Sequence, residues 1–297
     1  MSAAAAPTPA TWRQVQARVV RHDDAGAGHR WLELRVPADF AAPAPGQFVQ
    51  LLIEWPSPVL LPRPMSVASV TRTARGLALG FLYAPVGAGT LALAGLTPSD
   101  SVGVLGSLGR GFPLEVQGTP VLLAGGRGVA PLLFAADALA RAGRRCTFLF
   151  GARTHERLVG LGEARARLRR MKGALHLATD DGSRGVHGTV LGLLQRVARD
   201  LPKPLAIHAC GPHGMLKAAA LWGLRNEVPT FLAMESVMAC GTGVCRGCPM
   251  PRSAAGRQQH RRERTTRPSL HGNEEYAMCC TEGPVFAAQD LDWERVE

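Results

Sequence analysis

TPVLLAGGRGVAPLLFAADALARAG, residues 119–143, decides the fold. The apolar run VLLAG has the length of a buried strand and meets the glycine-rich GGRG. VAPLLFAADALARAG then carries apolar residues at helical spacing and ends on Gly143, with Arg141 in its last turn. A buried strand that runs through glycines into a helix is the context in which dinucleotides bind, although AGGRGVAP is not a strict GxGxxG. Downstream, strand character at 146–151, 174–179 and 204–210 alternates with helical patterns at 157–171, 189–199 and 212–225. Such alternation specifies a parallel sheet covered on both faces. Residues 118–228 therefore read as an α/β doubly wound nucleotide-binding domain.

On the N-terminal side the period changes. Short runs with strand character at 15–20, 31–36, 48–53, 65–70, 77–83 and 101–105 are separated by Gly, Pro and Asp, with one helix at 89–94. Short strands at this spacing predict an antiparallel β-barrel over residues 11–117, after an Ala- and Pro-rich lead-in, residues 1–10, expected to be disordered. Residues 229–297 form a third segment, short, helix-poor and rich in cysteine, of a size that usually needs a metal or another staple. The whole is a multidomain chain.

The composition agrees with a globular, turn-rich protein: 46% hydrophobic and 19% charged residues exclude general disorder, and 34 Gly with 22 Pro in 297 residues, without a period, exclude collagen. No apolar run approaches the roughly 20 residues of a membrane span, and MSAAAAPTPATWR lacks the character of a signal peptide, so a cytoplasmic location and no membrane are expected. Of seven cysteines, five crowd into the last 60 residues, which in a reducing compartment suggests a metal before disulfides. Much of the net charge of +11 is local, because six arginines fall between Arg252 and Arg267, a run that reads as a solvated basic loop.

ESVMACGTGVCRGC, residues 235–248, has the spacing Cys-x4-Cys-x2-Cys, the plant-type ferredoxin pattern for a 2Fe-2S cluster. Its loop must wrap the cluster with backbone NH groups aimed at sulfur, and Gly241, Gly243 and Gly247 supply the turns. Cys240, Cys245 and Cys248 need a fourth thiolate from Cys279 or Cys280; zinc is the competing metal. LPRPMSVAS, residues 61–69, offers an arginine for a pyrophosphate and a short hydroxyl donor for a flavin, and VGAGT, residues 86–90, puts glycines at the start of the only helix of the barrel region. ATDDGSRG and Cys210-Gly211-Pro212 fall at the C-terminal edge of the parallel sheet, where such sheets bind ligands.

RPMS, YAPVGAGT, LGRGFPL, AGGRGVAP, TDDGSRGVHG, ACGP, MACGTGVCRGC and CTEGPVF follow one another over roughly residues 12–290. In this order they resemble the ferredoxin-reductase superfamily, and within it the electron-transfer subunits of class 1B dihydroorotate dehydrogenases. The resemblance implies FAD contacts at Arg63, Pro64, Met65, Ser66, Gly89 and Thr90, with Leu82, Tyr83 and Ala84 lining the site. It implies nicotinamide nucleotide, NAD(H), at Gly125, Gly126, Gly128, Cys210 and Gly211, and Cys280 as the final cluster ligand, counted back from the Gly-Pro-Val-Phe segment. It further implies electron transfer from NADH through FAD and the cluster to the FMN of a separate dihydroorotate dehydrogenase catalytic subunit, in a heterotetramer with two copies of each chain. Ala84 stands where the family usually has arginine, and the stretch from Cys248 to Cys280 is longer than usual.

Two other functions compete with this reading. An NAD(P)H:ferredoxin-type oxidoreductase subunit would carry similar cluster motifs. A zinc-stabilised nucleic-acid-binding module would use the arginine run, but it leaves two domains without a role and has few aromatics, at 5%, for stacking; no nucleic acid is expected.

Overall fold

The computed structural model describes residues 12–53, 59–266 and 272–296, with the backbone alone for 264–266. The lead-in at 1–10 lies outside them. Strands β1 (Arg13–Gly26), β2 (His29–Val36), β3 (Phe48–Leu52), β4 (Arg63–Ser66), β5 (Ser69–Thr73), β6 (Gly76–Tyr83) and β7 (Ser101–Leu108) pair antiparallel in the order β4-β3-β7-β1-β2-β6-β5, with helix α1 (Ala88–Ala94) between β6 and β7. Alternation sets the faces: Leu32, Leu34 and Val36 of β2 fill the barrel with Leu79, Phe81, Val102 and Val104, whereas Trp31 joins a different core, shared with the second sheet.

One strand was expected at 65–70, and the structure breaks it at Val67-Ala68. Val67 N donates to Gln47 O (3.3 Å) and Ala68 N to Gly80 O (2.8 Å), so two residues carry the chain from one edge of the sheet to the other and close the barrel. β4, with the RPMS sequence, is left at the mouth of that closure.

The second sheet is built from β8 (Thr119–Gly125), β9 (Thr147–Ala152), β10 (Ala174–Thr179), β11 (Val186–His187), β12 (Leu205–Cys210), β13 (Thr230–Ala233) and, antiparallel at its end, a late strand at Val285–Ala287. Its order is β11-β10-β9-β8-β12-β13 and then that strand. Helices α2 (Val129–Arg141) and α3 (Leu161–Met171) cover one face, α4 (Val190–Asp200) and α5 (His213–Arg225) the other. The β8 run is apolar throughout because it serves both faces: Val121 and Leu123 join the α4 and α5 core, Leu122 and Ala124 the α2 and α3 core. The helix expected from residue 157 begins at Leu161, since Gly160 at φ +81° interrupts it after a short turn at His155–Arg157.

The segment after residue 228 departs most from expectation. β13 extends the parallel sheet, and β14 (Pro249–Pro251), α6 (Ala254–Thr266), β15 (Tyr276–Met278), α7 (Cys279–Glu282) and β16 (Val285–Ala287) follow, with β16 pairing back on β13. Met234, Met238, Met250, Met278, Phe286 and Trp293 join the α4 and α5 core, so this segment is held by the sheet it completes. Most of the arginine run, read as a solvated loop, is the helix α6; Arg252 precedes it and Arg267 lies outside the described residues. Two of its arginines point to carboxylates, Arg257 to Glu275 (3.8 Å) and Arg261 to Glu274 (3.3 Å), while His260 is buried. Charge density hid a helix with one buried face. Among the described residues no helix is long and apolar enough to cross a membrane.

Candidate functional site

The barrel mouth and the C-terminal edge of the parallel sheet face each other across a cleft of about 1020 Å³. Arg63, Pro64, Met65, Ser66, Leu82, Tyr83, Ala84 and Thr90 line its barrel side; Gly125, Gly126, Gly128, Cys210 and Gly211 line its sheet side. Gly89 touches the same place from behind, because a Cβ on it would lie 2.3 Å from Arg63 Nε. Only a glycine lets α1 come this close to the arginine.

Arg63 Nη2 donates to Leu61 O (3.1 Å), and its buried Nε has no hydrogen-bond partner among the described residues. A buried guanidinium NH left open beside a cleft is a strong donor for a phosphate oxygen. Tyr83 is held through His22: Nδ1 of His22 donates to Leu96 O (2.7 Å), which leaves Nε2 to accept from Tyr83 Oη (2.9 Å). Burial pushes the Tyr83 phenol up to about 12, so it stays a neutral donor. Thr90 Oγ1 accepts from Val86 N (2.9 Å) and Gly87 N (3.1 Å), fixing the VGAGT turn.

On the sheet side the glycines serve close approach. A Cβ on Gly128 would meet Cys210 O at 2.2 Å, and one on Gly211 would lie 3.0 Å from Gly125 Cα, so the turns after β8 and β12 pack backbone to backbone. Cys210 lies at that junction, and burial, with the charge of Glu235, pushes its thiol up to about 12. Arg127, Arg153, Arg157 and Asp180 complete the outer wall. Sequence reasoning missed His29, Met215, Thr189 and the run Met234–Met238 of the lining. No motif marks His29, Met215, Thr189 or Met234, and Glu235, Ser236 and Met238 stand in the sequence only as the lead-in to the cysteine motif; all reach the cleft through the fold. The Met234–Met238 run leads straight from the cleft into the cysteine loop.

In that loop Cys240 Sγ accepts from Thr242 N (3.4 Å) and Cys245 N (3.5 Å), and Cys245 Sγ from Gly247 N (3.5 Å). Gly241 (φ +76°) and Gly243 (φ +84°) make the turns, and a Cβ on Gly241 would meet Gln50 at 2.9 Å. Gln50 Nε2 donates to Met238 O (3.2 Å), tying the loop to β3. Burial raises the Cys240 thiol, but the NH donors of Cys245 and Thr242 outweigh it and bring it to about 6. Cys248 accepts from the Cys280 thiol and from Cys280 N (3.4 Å), which lowers it to about 7 and pushes Cys280 upward.

Cys279 turns away. Its Sγ faces Met234 O (3.9 Å), and burial drives its thiol upward. The four remaining sulfurs stand as two pairs, Cys240 with Cys245 and Cys248 with Cys280, and among the described residues no three His, Cys, Asp or Glu side chains gather for a single metal ion. Four cysteine sulfurs are a donor set that a 2Fe-2S cluster takes.

Residues 122–220 match the model of the oxidoreductase NAD-binding domain family. The electron transfer subunit of dihydroorotate dehydrogenase B (NAD(+)) from Desulforamulus reducens is 34% identical over 265 residues, covering 89% of this chain and 92% of the relative. Its counterpart from Geobacillus kaustophilus is 34% identical, covering 83% and 86%. Among solved structures, one from work on flavin-based electron bifurcation by an NADH-dependent reduced ferredoxin-NADP oxidoreductase aligns with a TM-score of 0.76 at 26% identity, covering 94% of this chain and 91% of that one. The flavohem-like FAD/NAD binding domain of nitric oxide dioxygenase from Vibrio cholerae (TM-score 0.62, 17% identity, 72% of this chain and 93% of that one) shares the fold. Identity at this level along most of both chains, with the barrel, the sheet and the cysteine loop in one order, means that the chain belongs to the family of electron transfer subunits of dihydroorotate dehydrogenase B.

Proposed function

We propose that the chain is the flavin and iron-sulfur electron-transfer subunit of a dihydroorotate dehydrogenase, passing electrons between a nicotinamide nucleotide and the FMN of a separate catalytic subunit, in a complex with two copies of each. The observation that carries this reading is continuity: the cleft between barrel and sheet shares its Met234–Met238 wall with the loop of Cys240, Cys245 and Cys248. When bound, FAD supplies the conversion of a hydride into single electrons, and a 2Fe-2S cluster relays them.

The chain's own residues bind and orient. Arg63 and Ser66 on β4, with Gly89 and Thr90 on α1, hold the flavin nucleotide, and Tyr83, fixed by His22, borders the ring. Gly125, Gly126, Gly128, Cys210 and Gly211 place the nicotinamide end against it from the sheet edge. Cys240, Cys245, Cys248 and Cys280 are the thiolates. Residues 11–117 serve as the flavin barrel, 118–228 as the main part of the nucleotide domain, and 229–297 as the cluster segment. The protein works in the cytoplasm, where its seven cysteines, all free thiols here, stay reduced.

The test is reconstitution. Purified protein should hold one FAD, two irons and two sulfides, oxidise NADH with one-electron acceptors, and support orotate formation only after a dihydroorotate-oxidising flavoprotein is added. Turnover of dihydroorotate by this chain alone would defeat the proposal. Efficient reduction of ferredoxin, with no response to the catalytic subunit, would favour a ferredoxin-type reductase, the reading suggested by the neighbour with a TM-score of 0.76.

A further inference from the structure

We propose that α6 is a strap that fixes the Cys280 segment against the flavin barrel, and that Arg252, Glu282, His260, Glu263 and Arg110 are positioning residues for the fourth cluster thiolate. The inference rests on the iron-sulfur reading above. Arg252 lies four residues beyond Cys248 and Glu282 two beyond Cys280. Their side chains, 8% and 4% exposed, meet as an ion pair at 2.5 Å, so one buried bridge ties together the two stretches of chain that carry the paired thiols.

A buried ion pair loses its hydration, and that loss is offset only where the remaining donors and acceptors are also satisfied. Here they are. Arg252 Nε donates to Asn273 O (2.9 Å), and Nη2 also reaches His260 Nδ1 (3.1 Å) on α6. The second oxygen of Glu282 accepts from Met278 N (3.0 Å), closing the turn of α7 that aims Cys280 at Cys248.

The same helix holds the segment from its other side. Three residues after His260, on the same face, Glu263 accepts from Arg110 Nη2 (2.9 Å). Arg110 belongs to the link between barrel and sheet, and its backbone N donates to Gly283 O (2.5 Å), the residue next to Glu282. Consecutive residues of the ligand segment are thus gripped from two directions, and α6 supplies a partner to each grip. Thiolate placement within a few tenths of an ångström decides whether four sulfurs can close on one cluster, and this is what supporting contacts around metal ligands secure.

The test uses the half-exposed pair, whose removal spares the core. Arg110→Glu and Glu263→Arg should each lose at least half of the iron that wild type retains through gel filtration with a chelator, and should broaden the g-values of the dithionite-reduced cluster, with FAD content unchanged. The double variant Arg110→Glu/Glu263→Arg should restore both. Glu282→Gln should show the larger loss. Wild-type iron retention and g-values in both single charge reversals, failure of the double variant to rescue, or loss of FAD in step with iron would overturn the proposal. Wild-type protein that binds no iron would instead overturn the cluster reading on which it rests.

Discussion

Cys279 and Cys280 are adjacent in the chain and opposite in direction, one toward Met234 O and the other toward Cys248. Cys280→Ser should abolish the EPR signal of the reduced cluster, and Cys279→Ser should leave it; the reverse pattern would show that the wrong thiol has been assigned. Arg63→Ala removes a charge-assisted contact of about 1.5 to 3 kcal/mol, which should weaken FAD binding by about ten- to a hundredfold, measured by flavin release on dilution. The three spaced cysteines were legible in the sequence because a tight loop ties chemistry to spacing. The fourth was not legible from spacing, since the turn of α7 decides which of two neighbours faces the loop, and only the resemblance through CTEGPVF pointed to Cys280. The open Nε of Arg63 and the role of Gly89 behind it depend on how α1 packs, which no pattern in the sequence records.

The β8 turn and the β12 turn meet where Gly128 lies against the backbone of Cys210. Gly128→Ala puts a methyl carbon 2.2 Å from a carbonyl oxygen that belongs to a sheet strand and cannot yield. This variant should lose NADH reactivity while keeping FAD, because the barrel residues are untouched; stopped-flow reduction by NADH and by dithionite separates the two. The alternation of β8 to α5 was legible because apolar strands and amphipathic helices have distinct periods. β13, β16 and α6 were not. β13 and β16 are strands of four and three residues whose partners lie far away in sequence, and α6 is dominated by arginines, with its buried contacts made through His260 and a glycine. The break between β4 and β5 was hidden for a similar reason, since Val67 and Ala68 look like strand residues and turn only because both barrel edges receive them.

Across the whole molecule a buried group and a half-buried one pull stability in opposite directions as pH changes. His208 on β12, stacked on Phe231 (5.5 Å) and edge-on to Phe112 (5.6 Å) where barrel link and sheet meet, is lowered by burial from 6.5 to about 3. Below pH 6.5 the unfolded chain takes up this proton and the folded one does not, so stability falls with acid by about 1.4 kcal/mol per pH unit. Asp290 is raised by burial, with Glu263 adding, from 3.8 to about 6, so in that window the folded state holds the extra proton and gains as pH falls. Between pH 6 and 4 the two slopes nearly cancel in wild type. His208→Leu should therefore become more stable toward pH 4, and Asp290→Asn should be more stable than wild type at pH 7 and steeply acid-sensitive below 6, both read from urea unfolding at fixed pH.

The pairing of β13 with β16 also sets a timetable for synthesis. Fifty-one residues separate the end of β13 at Ala233 from the start of β16 at Val285, and the whole cysteine loop is made in between. At about 5 to 20 residues per second, a ribosome leaves one edge of the sheet bare for roughly three to ten seconds. During that interval the first three cysteines have emerged without the fourth. On the proposed cluster reading, iron delivered then would meet an incomplete set of thiols beside an unpaired strand edge, so assembly would wait until Cys280 has been made, and overexpression that outruns iron supply should yield aggregates seeded by that edge.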